Sequence, residues 1–192
     1  MMGDEKKSTA KGSSRTVLIG LLFIASVLVA LASIIFSVGT ERIKMESISM
    51  QPTLFPGDYM IVNKLAYRFD HSPDRGDVIV FRYPPNPSVV PYIKRIIGIP
   101  GDQVHIADGK VYINGQPVLE TWLIEPTKRG GDWSVPSGQY FVLGDNRNNS
   151  SDSRSWGFVP LANILGRVEL IYLPPQHWTF LHQSVAFSST EP

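Results

Sequence analysis

Residues 45–64, MESISMQPTLFPGDYMIVNK, carry two serines separated by one residue, Ser47 and Ser49, and no histidine. A serine hydroxyl is a poor nucleophile until a neighbouring base takes its proton, and a lysine serves as that base wherever it is held neutral. At its reference pKa of about 10.4, only about 0.04% of an exposed lysine is neutral at pH 7. A shift to roughly 8 costs about 3 kcal/mol of lost ammonium solvation, which an apolar strand can impose. Residues 91–102, PYIKRIIGIPGD, offer such a strand. Side chains alternate along it, so Tyr92, Lys94 and Ile96 share one face and Ile93, Arg95 and Ile97 the other. Lys94 then points inward only if Arg95 points outward. Read from these segments alone, Lys94 and Arg95 are surface cations on an edge strand and the serines belong to a turn or strand. The chemical reading needs further support.

Composition removes several alternatives. The 192 residues are 43% hydrophobic, enough for one membrane segment and one domain with a core. Beyond residue 38 there are 14 Lys or Arg against 15 Asp or Glu, which argues against a nucleic-acid face. The absence of cysteine excludes disulfides, thiolate chemistry and cysteine-ligated zinc. His71, His105, His177 and His182 show no metal-ligand spacing, so neither a metal nor another cofactor is expected.

The elements that position these residues begin with an oily run. Residues 17–38 contain no charge over 22 positions, and a helix rising 1.5 Å per residue crosses a hydrocarbon core of about 30 Å at that length. Lys6, Lys7, Lys11 and Arg15 ahead of it, with Ala30-Leu31-Ala32 inside it, also fit a cleaved signal peptide. The run continues six residues past that triplet, which favours a retained anchor. Four basic residues before the helix against Arg42 and Lys44 after it put the N-terminus in the cytoplasm. The expectation is a cytoplasmic tail at 1–16, a transmembrane helix at 17–38 and an extracytoplasmic domain at 39–192.

That domain reads as mainly β. Turns at Pro56-Gly57-Asp58, Arg75-Gly76-Asp77, Pro100-Gly101-Asp102 and Leu143-Gly144-Asp145 separate short Val, Ile, Tyr and Phe-rich runs. The strand candidates are residues 77–83, 92–99, 103–115 with an Asp108-Gly109 hairpin turn, 139–144 and 165–173. Together they predict antiparallel sheets in a compact β-domain, with a smaller strand-rich insertion at about residues 102–140. The prolines of residues 84–91 predict a surface loop, and Arg75-Gly76-Asp77 is a turn ahead of a strand rather than an adhesion motif. The tail after Pro174, with Trp178, Phe180 and Phe187, has no clear period and no assigned role.

Four segments in one order change the weight of the two serines and the lysine. SISMQPTL (47–54), RGDVIVF (75–81), YIKRIIGIPGD (92–102) and GDNRNNSSDSRSWGFVP (144–160), after a membrane anchor, closely resemble the type I signal peptidase family, membrane-bound serine proteases that remove signal peptides. The resemblance runs from residue 45 to about residue 172. It implies that Ser49 is the nucleophile, Lys94 the general base, and the Ser47 hydroxyl with the Ser49 N–H the oxyanion donors. Ser150 matches the serine that hydrogen-bonds and positions the lysine amine. Asp145, Asn146, Arg147, Asp152 and Arg154 are implied to hold their loop as a polar and ionic network. Asn148 stands where many members have an acidic residue, a departure that bears on local packing. The Asn-Asn-Ser and Asn-Ser-Ser triplets there are better explained by the motif than as glycosylation acceptors.

The resemblance also implies a substrate. The family cleaves after small residues at the first and third positions before the scissile bond, with the peptide extended along a strand edge. Met50, Leu54, Tyr92 and Ile93 are candidates for the first pocket, Ile43 and Met45 for the second, and each reads equally as core. The implied partners are preprotein signal peptides, the lipid bilayer and, as a further candidate, the protein-export translocon, with no nucleic acid. The implied location is the cell membrane, crossed once. Two other readings stand beside this one: a self-cleaving repressor-type Ser-Lys protease, and a non-enzymatic membrane-tethered β-domain that binds peptides or envelope partners. The anchor counts against the first, and the retention of both serines, the lysine and the long last motif against the second.

Overall fold

The computed structural model describes residues 8–68, 70–181 and 186–187. The first seven residues of the expected cytoplasmic tail, and His182, lie outside the described residues. Helix α1, Ser8–Gly39, carries the oily run, and its stretch Val17–Gly39 is long and apolar enough to cross a membrane. A helix satisfies its own backbone polar groups, the condition for a lipid-exposed segment. Its serines follow the same rule: the hydroxyls of Ser26, Ser33 and Ser37 donate to the carbonyls of Phe23, Val29 and Ile34 one turn back, at 2.7, 2.8 and 3.0 Å.

The chain from Thr40 onward is a second unit, mainly β and antiparallel. Its strands are β1 Thr40–Lys44, β2 Tyr59–Asn63, β3 Val78–Phe81, β4 Tyr92–Gly98, β5 Gln103–Ala107, β6 Lys110–Ile113, β7 Gln116–Leu119, β8 Gly131–Ser134, β9 Gln139–Leu143, β10 Val159–Pro160, β11 Ile164–Leu173, β12 Thr179–Phe180 and β13 Ala186–Phe187. The larger sheet runs β1-β2-β11-β3-β4-β9-β10 with β12 added on β11, and the smaller runs β13-β7-β6-β5-β8. The β5–β6 hairpin turns at Asp108 and Gly109, both at positive φ (50° and 79°), the geometry that an Asp-Gly pair favours.

Position in the sheet explains the burial. β3 lies between β11 and β4, and all four of its residues are buried. Val78 and Val80 enter one apolar cluster with Met50, Leu54, Met60 and Ile93, while Ile79 and Phe81 enter another with Ile96, Tyr140 and Val142. β4 is covered in the same way, and its Ile97 joins a third cluster built on the smaller sheet. A strand buried on both faces reads as a continuous apolar run, which is why residues 77–83 and 92–99 were legible. β1 and β8 escaped detection because TERIK and GDWS have little apolar content, and β7 because Pro117 interrupts the short run QPVL, while β2, YMIVN, was missed despite its apolar content. The tail, without an assigned role from sequence, supplies β12 to one sheet and β13 to the other.

β11 and β2 approach closely at Gly166, where a side-chain carbon would lie 2.6 Å from the Asn63 carbonyl oxygen and 2.9 Å from Val62 Cγ1. Gly166→Ala must therefore push the strands apart. It should lower the unfolding midpoint of the detergent-solubilised protein, a loss of about 1–3 kcal/mol. Gly20→Ala in α1, which meets nothing within 4 Å, is the control. An unchanged midpoint for Gly166→Ala would contradict this packing.

Candidate active site

The segment between β1 and β2 holds the first serine pair. Its neck is closed by backbone bonds from Met45 N–H to Asp58 O at 2.7 Å and from Gly57 N–H to Met45 O at 2.8 Å. Met50 and Leu54, both 0% exposed, anchor it in the core, and the Asp58 carboxylate accepts the Phe55 N–H at 2.7 Å. His177 from the tail touches the other oxygen of Asp58 through Nδ1, at 2.6 Å. Ser49 is thereby held 5% exposed, directly beside Met50.

Lys94 comes from β4 and is 4% exposed. Its Nζ donates to Ser49 Oγ at 2.8 Å and to the Ile93 carbonyl at 2.9 Å, and lies 5.5 Å from the Tyr92 ring centre. Burial pushes the lysine down to about 8, against the opposing pull of Asp152 and Asp145. Alternation predicts Arg95 outward; it does face the other way from Lys94, but it is buried, 1% exposed. That face of β4 is also covered. Asp145 pairs with Arg95 through two bonds of 2.9 and 2.7 Å, Gly76 O accepts Nη1 at 2.9 Å, and the Trp122 ring lies 4.5 Å from the guanidinium. A buried guanidinium keeps its proton, so it is tolerated only with such partners.

The loop after β9 meets Ser49 from the other side. Asn146 N–H donates to the Ser49 carbonyl at 3.0 Å, and Asn146 Nδ2 to the Ile48 carbonyl at 3.2 Å. Gly144 has no room for a side chain, since a carbon there would sit 2.5 Å from Ser49 O and 2.2 Å from Ser150 Oγ. Asp152 accepts the Gly144 N–H at 3.1 Å and holds Arg154 at 2.8 Å through each oxygen. Arg147 donates from Nε to the Gly144 carbonyl at 3.0 Å and pairs with Glu120, the residue that follows β7. Asn148 bonds outward, accepting the Lys128 N–H at 3.0 Å and donating to the Pro126 carbonyl at 3.1 Å.

The remaining expected residues fall in different places. Ser47 is exposed, and its Oγ accepts the Ser49 N–H at 3.1 Å. Ser150 Oγ is buried without a hydrogen-bond partner, and the bonds of Lys94 go to Ser49 and Ile93. Met45, Met50, Leu54 and Ile93 lie in one cluster with Ile43 packed against it, whereas Tyr92 stacks on Tyr83 at 4.6 Å beside a different cluster. Among the described residues, no group of three His, Asp or Glu side chains is placed to hold a metal ion. Glu120 and Trp122 carried no signal in the sequence, and Thr53 lies within SISMQPTL without an expected role. Thr53 donates to Asp145 at 2.5 Å, and all three acquire partners only through contacts distant along the chain.

Comparison with known proteins identifies the family. The family model for signal peptidase, peptidase S26, matches residues 16–173. A probable signal peptidase I-1 of Synechocystis sp. is 43% identical over 167 residues, covering 83% of this chain and 83% of that one. A signal peptidase I of Leptolyngbya laminosa is 44% identical over 156 residues, covering 78% of this chain and 75% of that one. A crystal structure of a signal peptidase I from Enterococcus faecalis V583 aligns at 36% identity with 50% of this chain and 97% of its own, with a TM-score of 0.47.

The buried lysine makes stability depend on pH. Its folded value of about 8 lies below the ordinary 10.5, so the fold favours the neutral form. That stability is fully present above about pH 10.5 and is lost as pH falls through 8. At pH 7 the cost is about 3 kcal/mol, at about 1.4 kcal/mol per unit. Lys94→Met removes it, offset by about 1 kcal/mol for the lost Ser49 hydrogen bond. The variant should be more stable than the wild type at pH 7, with the advantage vanishing towards pH 10. Denaturant midpoints at both pH values measure this, and a variant less stable at pH 7 would refute it.

Proposed function

The chain belongs to the signal peptidase family, peptidase S26, and on that premise we propose that it removes signal peptides from exported preproteins with Ser49 as nucleophile and Lys94 as general base. The observation that carries this reading is the 2.8 Å contact between Lys94 Nζ and Ser49 Oγ in a site that lowers the lysine to about 8. At that value a useful fraction is neutral near pH 7, and the hydrogen bond then runs from the Ser49 hydroxyl to the amine.

The steps follow from this pair. Ser49 Oγ attacks the scissile carbonyl carbon as its proton passes to Lys94 Nζ. The oxyanion is held by the Ser49 N–H and the Ser47 hydroxyl, which already meet at 3.1 Å. The N–H must turn from Ser47 Oγ towards the oxyanion, and each such donor contributes about 3–4 kcal/mol in the transition state. Lys94 then returns the proton to the leaving amine, and the acyl group remains as an ester on Ser49. With Ser49 esterified, Lys94 needs another partner, and the unpartnered Ser150 hydroxyl is the orienting group in this reading. Water attacks the ester as its proton passes to Lys94, and Lys94 hands that proton to Ser49 Oγ as the acyl–oxygen bond breaks, releasing the peptide as an acid and restoring the neutral amine. Asp145, Asn146, Arg147, Asp152 and Arg154 hold the loop rather than move protons.

Specificity follows from burial. Met50, Leu54 and Ile93, with Tyr92, are proposed to line the first pocket and Ile43 and Met45 the second. Met50 and Leu54 expose no surface, and Met45 and Ile93 at most 7%, so in this reading they back the pockets and leave room only for small residues of the Ala-x-Ala kind. The helix is proposed to cross the cell membrane once, with residues 1–16 cytoplasmic, 17–38 spanning and 39–192 outside, about 102–140 being an insertion in that catalytic domain. A signal peptide held in the same bilayer reaches the site at high effective concentration. The export translocon is a further candidate partner.

Ser49→Ala and Lys94→Ala should each cut cleavage of an Ala-x-Ala peptide below about a tenth of wild type with the fold intact, the double variant being little worse. For the wild type, kcat/KM should rise with pH along a limb near 8, because only the neutral amine accepts the proton. Lys94→Arg keeps the charge but cannot titrate, so it should be as inactive as alanine. A flat profile from about pH 6 to 9, or substantial activity in the arginine variant, would show that another group activates Ser49.

A further inference from the structure

After β7 the chain forms a strap, residues 120–128 (ETWLIEPTK), that reaches the loop touching Ser49 at several points. Glu120 pairs with both Nη atoms of Arg147, Nη1 lying 2.9 Å from Oε2. Thr127 Oγ1 accepts from Arg147 Nη1 at 3.3 Å, and the Pro126 carbonyl and Lys128 N–H bond Asn148. Trp122 covers the guanidinium of Arg95, the partner of Asp145.

The side chains of Arg147 and Glu120 are 0% and 6% exposed. A guanidinium this buried holds its proton and needs a carboxylate, and Glu120 is the one in contact with it. On its other side, Arg147 Nε grips the Gly144 carbonyl at 3.0 Å. Gly144 has its N–H on Asp152 and its Cα packed so tightly that a side-chain carbon would lie 2.5 Å from Ser49 O. The Asn146 N–H holds that same oxygen at 3.0 Å. A continuous path therefore runs from Glu120 through Arg147 and Gly144 to the backbone of Ser49, avoiding the proposed substrate pockets.

We propose that Glu120 is a positioning residue for the Ser49 and Lys94 reaction: by neutralising Arg147 it keeps Gly144 and Asn146 against the Ser49 carbonyl, and so fixes the angle at which Ser49 Oγ meets Lys94 Nζ. The inference rests on the dyad reading. The strap after β7 thereby contributes to the chemistry without touching substrate. Glu120→Gln keeps the shape and removes the charge. Released from its counter-ion, Arg147 withdraws from Gly144 and the Ser49 backbone loses its backing. Misplacement of a nucleophile lowers the rate of the chemical step and leaves peptide binding unchanged.

The test uses the full chain in detergent and an Ala-x-Ala peptide, with each variant assayed well below its own unfolding midpoint so that only folded enzyme is measured. Glu120→Gln should lower kcat and the single-turnover acylation rate by about ten-fold or more at unchanged KM. Glu120→Asp, which keeps the charge on a shorter stem, should recover part of the loss. Glu125→Gln lies on the same strap, but its exposed carboxylate meets only Lys128, at 3.8 Å, and should match the wild type. If folded Glu120→Gln keeps the wild-type acylation rate and merely melts earlier, Glu120 is structural and the proposal fails. A rise in KM at constant kcat overturns it equally. Should Glu120→Gln not fold, the decision passes to Glu120→Asp, which must show reduced kcat at constant KM. Ser49→Ala is run in parallel: residual turnover there overturns the dyad, whereas an inactive Ser49→Ala beside unimpaired Glu120 variants overturns this inference alone.

Discussion

β4 is buried on both faces and yet carries two adjacent cations, and much of the surrounding structure follows from accommodating them. A guanidinium stays charged when buried and needs partners, and Arg95 is matched by a bidentate carboxylate, a carbonyl and an aromatic face. An amine can lose its proton, and Lys94 receives the opposite treatment. Among the described residues it has no carboxylate in contact, only a hydroxyl and a carbonyl. Desolvation then outweighs the more distant pull of Asp152 and Asp145. The same burial that makes one residue a paired structural ion makes its neighbour a proposed base.

The loop after β9 extends this logic. Arg95, Arg147 and Arg154 each face a carboxylate, Asp145, Glu120 and Asp152, with every side chain in the three pairs at most 6% exposed. Buried ion pairs contribute little net stability relative to apolar packing, but breaking one strands a charge in a dry interior. They therefore resist displacement, and here the loop they pin carries the N–H that holds the Ser49 carbonyl. Two of the three carboxylates lie in the loop's own motif. The third, Glu120, comes from the strap that follows β7, which ties that segment to the loop.

Legibility in the sequence followed the range of the interactions involved. The apolar run of α1, the Asp108-Gly109 hairpin and the strands at β3, β4, β9 and β11 are statements about neighbouring residues, and they were read correctly. β1, β2, β7 and β8 were not, because a run of four or five residues becomes a strand only through the partner it pairs with. Arg95 was expected outward because alternation predicts which face a side chain takes, while only the second sheet decides whether that face is wet. Ser150 was placed by resemblance as a ligand of the lysine amine, yet here its hydroxyl lies buried against Gly144 without a partner.

By itself the sequence determined the residue types and their order: an apolar helix, two serines ahead of Met50, a Lys-Arg pair in a strand and a loop rich in Asp, Asn and Arg. Those are contiguous patterns, and composition and periodicity are enough to see them. The tertiary structure alone decided that Ser49 and Lys94, 45 residues apart, meet at 2.8 Å. It alone decided that the amine is dry enough to sit near 8, because a pKa depends on what covers a group. Glu120 belongs to the same class, since a carboxylate 27 residues from Arg147 becomes its counter-ion only when the strap after β7 folds against the loop.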